Sequence, residues 1–294
     1  MRTGPVGVTG ARGRVGRALV AQLRESGLTV IEWLHADYDL DDPAAAERIV
    51  RRDRPAMVYH LAAWTDVDAC ARQPDVAARR NHVATAELAG QLAMAGASLV
   101  FVSTNEVFNG RRDDGQGYRE DDRVDPINAY GRSKADGESA ARDAFSAGRG
   151  AGLWIVRSSW IFGPPGADFP AKILAAADRL PEGESLPVVT DEFGRPTAAR
   201  DLAGALLRLP TLMAGGTVHI AGKGVASRFE WASHVLNRCR PDRLVRPTTQ
   251  ASFQRASTPP SWGVLDTARA DSVGLSQPDW REATDRYARQ LCSD

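Results

Sequence analysis

Tyr130 and Lys134 stand four residues apart in AYGRSK, a spacing that puts both side chains on one face of a helix. Lysine is scarce in this chain: Lys134, Lys172 and Lys223 are the only three, against 34 arginines. An ammonium is a compact charge that can hydrogen-bond a ribose and lower a phenol's pKa, which a guanidinium does less well. A phenol of ordinary pKa, about 10, needs such help to exchange protons near neutrality. The pair therefore reads as a proton donor and its assistant, against the plainer reading of a surface helix pair. A second set of chemistry-bearing residues ends the apolar run of SLVFVSTNEVFNG (residues 98–110): Ser103, Thr104, Asn105 and Glu106. In an open parallel sheet, ligands bind beyond the carboxyl ends of the strands, so these four are candidates to border a ligand.

A third set is TGARGRVG, where Gly10, Gly13 and Gly16 follow an apolar run and precede a helical pattern in which Val15, Leu19 and Leu23 share a face. Such a turn brings backbone close to a pyrophosphate at a helix N-terminus, whose free N–H groups and dipole favour an anion. Gly10, Ala11, Arg12, Gly13, Arg14, Val15 and Gly16 are thus expected at a dinucleotide. An NAD-selective site usually carries an acid at the end of the second strand. Here that strand ends Ile31-Glu32-Trp33, with the direction of Glu32 open. With Arg12 or His35 near the 2′-phosphate, the expectation is NADPH, with NADH as the alternative. Asp39 and Leu40 are candidate adenine contacts.

These residues need a frame. Strands are expected over 6–9, 28–33, 56–61, 98–103 and 153–157, and helices over 81–94, 129–145, 168–180, 199–209, 229–239 and 280–291. Strands alternating with helices predict an α/β fold with a doubly wound, Rossmann-type parallel sheet. The less regular second half predicts a smaller α/β substrate-binding lobe, interleaved with the first: residues 1–157 plus about 190–240 for the dinucleotide-binding domain, and about 158–189 plus 241–294 for the lobe. The net charge is zero, which favours neither nucleic acid nor an anionic membrane. No apolar run is long enough to span a bilayer, and the chain enters a strand too early for a signal peptide. Cys70, Cys239 and Cys292 are odd in number and far apart, and read as reduced residues of a cytoplasmic protein. The five histidines form no ligand cluster, so no metal is expected.

The glycine turn, HLAA, the Ser-Thr strand end and YxxxK together resemble the extended short-chain dehydrogenase/reductases. More narrowly, AAWTDVDACARQP, STNEVFNG, DPINAYGRSKADGE, RSSWIFGPPGADF, VVTDEFGRPT and PDW are similar to dTDP-4-dehydrorhamnose reductases along nearly the whole chain. The resemblance implies reduction of the keto group of a nucleotide-linked 4-keto-6-deoxysugar. Thr104 would bond the carbonyl, Tyr130 would donate the proton, and Lys134 would hold the nicotinamide ribose. Leu61, Ala62, Ala63 and Ser103 would line the cofactor, and Thr65, Val67, Asn105, Glu106 and Trp160 the sugar. Where that family usually has Asp-Tyr, this chain has Asn105-Glu106, and Pro259 stands where an arginine suited to a diphosphate is usual. Arg255, Arg195 or Arg228 is then the candidate replacement. The departures keep two rivals open: a non-catalytic dinucleotide-binding subunit, and an epimerase or dehydratase of the same superfamily. Asp191, Glu192 and Asp201 read as loop and cap residues; Asp66 and Asp68 lie on a loop near the site, and capping of the next helix explains them equally well. The assembly is left open, with a homodimer as the candidate.

Overall fold

The computed structural model describes residues 4–146, 151–253 and 255–292, so the extreme ends of the expected domain ranges lie outside the described residues. Six strands form one parallel sheet: β1 (Val6–Thr9), β2 (Val30–Trp33), β3 (Met57–His60), β4 (Ser98–Thr104), β5 (Leu153–Ser158) and β6 (Gly216–His219), in the order β6-β5-β4-β3-β1-β2. The chain leaves β1 for β2 on one side and then crosses to β3 on the other. The switch point therefore falls beyond the ends of β1 and β3, where a doubly wound sheet opens its ligand crevice.

Strand residues alternate between two apolar layers. Val6, Val8, Tyr59, Val100 and Val156 face α1 (Arg14–Glu25) and the later helix Ala199–Leu212, whereas Val58, Leu99, Phe101 and Ile155 face α2 (Ala45–Asp53), α3 (Ala84–Ala95) and α4 (Ala129–Ser146). Burial on both faces explains why β4 reads as a continuous apolar run. α2 and β6 were not expected. α2 offers the core only Ala45, Ala46, Ile49 and Val50 from an arginine-rich segment, and β6 buries only Val218 and His219 of four residues, so neither carries a strong apolar signal. A π-helical stretch, Ala78–Val83, precedes α3. Gly137 lets α4 pack closely against it: a Cβ there would lie 2.7 Å from the Asn81 carbonyl oxygen.

A second cluster, built on Phe162, Leu174, Trp231, Leu236 and Trp280, forms the lobe. It comprises α5 (Phe169–Asp178), α7 (Arg228–Cys239), α8 (Trp280–Leu291) and a parallel strand pair, Ser185–Val189 with Leu244–Thr248; α6 denotes Ala199–Leu212, which packs under the sheet. The interleaving differs in place from the expected boundaries. α6 and β6 belong with the sheet, α7 packs in the lobe, and Ala270 and Leu275 return to the sheet side. One expectation is overturned: Cys239 and Cys292 are not reduced but joined in a disulfide, because α7 and α8 bring residues remote in sequence together at their ends. Cys70 is free and buried. Among the described residues no helix is long and apolar enough to cross a membrane.

Candidate active site

The glycine turn is built for contact. Gly10 adopts φ +62°, and a Cβ on it would lie 2.8 Å from the Ala62 nitrogen. A Cβ on Gly16 would collide with the Gly10 carbonyl oxygen, so only glycine lets the turn close on the helix start. Thr9 fixes the facing segment. Its hydroxyl accepts from the Leu61 and Ala62 N–H groups, both at 3.0 Å, and so gives its own proton to His60 Nδ1 at 2.8 Å. His60 Nε2 then carries the proton and donates to Thr85 Oγ1 at 3.1 Å, which donates to the Asn81 carbonyl at 2.8 Å. Burial holds the His60 pKa down at about 3, so the ring stays neutral and serves as a strut.

A cavity of about 580 Å³ opens over this turn, lined by Gly10, Ala11, Arg12, Gly13, Ala62 and Ala63 and, opposite, by Trp33 to Ala36, Tyr38 and Leu40. Leu40 lines this cavity. Asp39 turns aside: its carboxylate accepts from the Asp41 N–H at 2.9 Å and sits 3.8 Å from His35 Nε2. Glu32 pairs with Arg24 at 2.7 Å and does not line the cavity. Trp33 is buried and donates its indole N–H to Asp53 at 2.7 Å. Arg12 and His35 are exposed at the rim. Val15 packs into the core and has only its backbone to offer a ligand, and Arg14 reaches the loop at Gly166. Leu61, Ala62 and Ala63 are half-buried along the crevice, and Ser103 is buried at the end of β4.

Thr104 of β4 touches Tyr130 of α4, and Lys134 of α4 reaches the same strand at Val102. Thr104 is buried, and its side chain interacts with the Tyr130 phenol. Burial, reinforced by the nearby Glu106 carboxylate, pushes the phenol's pKa well above its ordinary value, against the Thr104 hydrogen bond that lowers it. The phenol is thus stocked with its proton across the neutral range. Lys134 is buried, donates to the Val102 carbonyl at 2.8 Å and lies 4.1 Å from the Phe101 ring centre. In this state its ammonium bonds the strand rather than the phenol. Burial lowers its pKa to about 7, partly offset by Glu138 one turn away. Glu138 is wholly buried and receives two hydrogen bonds from the buried Arg157, at 2.9 and 2.7 Å. Burial is the largest single influence and would raise its pKa, but the hydrogen bonds and charge of Arg157, with Ser103 and Arg142, together hold it low.

The expected sugar-facing residues separate. Asn105 is buried and donates to the Gly263 carbonyl at 3.1 Å, tying the strand end to the C-terminal segment. Glu106 instead remains half-buried beside Tyr130, with its Oε2 accepting from Asn128 Nδ2 at 2.7 Å. Burial raises its pKa to about 7, against the lowering effect of Asn128. Trp160 has φ +46°, a region sparsely used by bulky residues. Its ring lies parallel to Trp231 and 3.6 Å below the Arg228 guanidinium. Thr65 is exposed and Val67 half-buried, at the start of the short helix Val67–Arg72 that Asp66 caps through the Ala69 N–H.

A second cavity, about 680 Å³, lies in the lobe against Phe169, Lys172, Glu192, Arg228, Phe253, Arg255 and Pro259. Of the three candidate arginines, Arg228 and Arg255 line it; Arg195 bonds the Gly222 carbonyl and does not. Glu192 pairs with Arg228 at 2.8 Å and Asp201 with Arg286. Asp68 accepts from the Ser257 N–H at 3.0 Å and Asp191 from that of Gln250 at 2.9 Å. Sequence reasoning missed Asn81, whose amide brackets the Trp64 backbone at 2.8 and 3.0 Å and reaches Ser133 at 3.1 Å. It also missed Asn128, Glu138, Arg157 and Lys172. A charged residue inside the apolar run of β5 was the available signal for Arg157, and the scarcity of lysine was the signal for Lys172.

Residues 5–293 match the RmlD substrate binding domain family. The chain belongs to that family. It is 36% identical to dTDP-4-dehydrorhamnose reductase of Mycobacterium tuberculosis over 283 residues, covering 94% of this chain and 90% of that protein. Among solved structures it is similar to a dTDP-4-dehydrorhamnose reductase from Clostridium acetobutylicum, with a TM-score of 0.90, 29% identity and 98% and 99% of the two chains covered. It is also similar to the Bacillus anthracis dTDP-4-dehydrorhamnose reductase in complex with NADP, with a TM-score of 0.87, 28% identity and 98% and 100% covered. The expected α/β, Rossmann-type fold is the one these neighbours share.

Proposed function

We propose that this protein reduces the keto group of a nucleotide-linked 4-keto-6-deoxysugar with NADPH, Tyr130 giving the proton. The observation that carries the reading is the contact of Thr104, at the end of β4, with the Tyr130 phenol, in a chain that also has one cavity over the glycine turn and another lined by Lys172, Arg228 and Arg255. The names of the relatives support it, as does the NADP bound in one neighbour. The glycine turn fits a dinucleotide: a Cβ at Gly10 or Gly16 would fill the space through which backbone reaches the helix start. Gly10 to Gly16 would hold the pyrophosphate and Leu40 the adenine. Arg12 and His35 line the cavity and would face the 2′-phosphate, and no acid of β2 opposes them, which favours NADPH over NADH.

When bound, the reduced nicotinamide supplies a hydride, two electrons and a proton, to C4. Thr104 and Tyr130 hold the carbonyl oxygen. As the C=O bond becomes CH–OH, the phenol proton passes to that oxygen, so the alkoxide never has to leave the site charged. Lys134 would exchange the Val102 carbonyl for the ribose and the phenolate that this transfer creates. Its half-charged state near pH 7 costs little to bias toward the ammonium once a negative partner forms. Arg228, Arg255 and Lys172 suit a diphosphate, the guanidiniums through forked donors.

The test is oxidation of NADPH or NADH with dTDP-4-keto-6-deoxysugars, the alcohol identified by NMR. Tyr130→Phe should lower turnover by about 10²–10⁴ while calorimetric affinity for NADPH is unchanged. Retained turnover overturns the proton donor. Cofactor binding without turnover of any keto-sugar overturns the reductase reading.

A further inference from the structure

We infer that Glu106 sets which way round the sugar lies, its unengaged carboxylate oxygen taking a hydroxyl on the C2–C3 edge of the ring and so deciding which face of C4 is reduced. The inference rests on the reading above, in which Tyr130 and Thr104 hold the C4 carbonyl and the lobe cavity holds the nucleotide.

Glu106 stands between the two. On one side its charge acts on the Tyr130 phenol. On the other, Asn128 Nδ2 donates both to Glu106 Oε2 at 2.7 Å and to the Thr258 carbonyl at 3.2 Å, and Thr258 lines the lobe cavity. Glu192, Arg228 and Arg255 act on the Glu106 charge from that cavity. A sugar anchored by its C1 diphosphate at one end and its C4 carbonyl at the other must therefore pass the Glu106 carboxylate. Asn128 holds Oε2, whereas Oε1 has no hydrogen bond to any described residue. Glu192, the other carboxylate there, is already paired with Arg228. Oε1 is not sealed in the interior, so it is free to accept from a ligand hydroxyl.

The two edges of such a ring differ in what they can offer. The C2–C3 edge carries hydroxyls; the other edge carries the ring ether oxygen and the C5 methyl, neither of which donates. A hydroxyl also suits a carboxyl group whose pKa lies near neutrality, because it can give a hydrogen bond to the ionised form and accept one from the neutral form. Turning the ring by half a revolution about its C1–C4 axis leaves both anchors in place, exchanges the two edges, and shows the opposite face of C4 to a hydride donor whose position is fixed. Selecting the edge is thus selecting the face.

The experiment compares wild type, Glu106→Leu and Glu106→Gln on a nucleotide-linked 4-keto-6-deoxysugar and on its 2,3-dideoxy counterpart, reading the C4 epimer ratio by NMR. Calorimetry gives the affinities of the two corresponding alcohols. With the hydroxylated sugar, wild type should give one epimer. Glu106→Leu should lower the epimer ratio and weaken binding of the hydroxylated alcohol by about 10- to 100-fold, the worth of a hydrogen bond to a charged group. Glu106→Gln, which can still accept and donate, should retain most of both. The dideoxy sugar should give the mixture with wild type itself, and its alcohol should bind all three proteins alike, so an inactive Leu variant does not remove the test. An unchanged single epimer from the dideoxy sugar, or equal weakening of both alcohols in Glu106→Leu, overturns the inference while turnover keeps the reductase reading. Absence of turnover with the binding discrimination intact overturns the reductase reading and the face selection with it, and keeps only the Glu106–hydroxyl contact.

Discussion

At the scale of single residues, the placement of Thr104, Tyr130 and Lys134 was legible because their spacing is a local property. Tyr130 and Lys134 share a helical face four residues apart, and Thr104 closes a buried strand. The directions of Asn105 and Glu106 were not legible. A 3₁₀ turn, residues Asn105–Val107, starts where β4 stops, so the two-residue alternation that would have assigned them no longer holds. One turns to Gly263 and the other stays beside Tyr130. The position of Glu106 has a consequence for stability. Burial raises its folded pKa from 4.5 to about 7, so between those values the folded protein keeps a proton that the unfolded chain has released. The stability this gives is complete below about pH 4.5 and is lost as pH rises through 7. Glu106→Gln carries no such dependence. The melting temperature of Glu106→Gln relative to wild type should therefore climb by a few degrees between pH 5 and pH 8. A difference that stays flat across that range would mean Glu106 is already ionised in the fold.

At the scale of elements, the strands and long helices were readable where an apolar stripe meets a matching period, as in α1, where Leu19 and Leu23 are fully buried. The joints between elements were not readable, because polar side chains that bond backbone remote in sequence leave no periodic trace. Asn81 ties the π-helical stretch to Trp64 and Ser133, and Asn128 does the same at the start of α4. The Asn128 Oδ1 accepts from the Gly131 N–H at 2.8 Å, while its Nδ2 holds Glu106 and Thr258. One amide thus caps the helix that carries Tyr130 and Lys134 and locks that cap to the strand end and to the lobe. Asn128→Ala should cost about 1–2 kcal/mol in denaturant unfolding. Because the cap sets where α4 begins, it should also lower kcat for the keto-sugar while leaving NADPH affinity unchanged. A variant of wild-type stability and turnover would show that Gly131 and Glu106 find other partners.

At the scale of the whole molecule, the sheet domain offers a switch-point crevice and the lobe offers cations, and the proposed reaction needs both. The lobe must therefore hold its shape over a segment that enters it twice. Two helices far apart in the chain do this. Trp231 of α7 donates to Thr284 of α8 at 3.1 Å, His234 lies 2.7 Å from Asp285, and Arg238 pairs with Asp285 at 2.8 Å. α8 is also joined to the sheet domain by Arg286 with Asp201 of α6. The Cys239–Cys292 disulfide closes this pair across a separation of 53 residues. Cysteine spacing alone could not reveal that, since the proximity is made by packing. Loop closure of that length should stabilise the fold by about 2–4 kcal/mol, acting where α7 and α8 end and leaving the glycine turn untouched. Reductant should then lower the melting temperature of wild type, while Cys239→Ser with Cys292→Ser should start at the lower value and not respond to reductant. NADPH affinity should be unchanged in both, and nucleotide-sugar affinity should fall, because α7 carries Arg228 into the lobe cavity. Loss of NADPH affinity in step with the melting temperature would mean that the lobe and the sheet domain unfold as one unit.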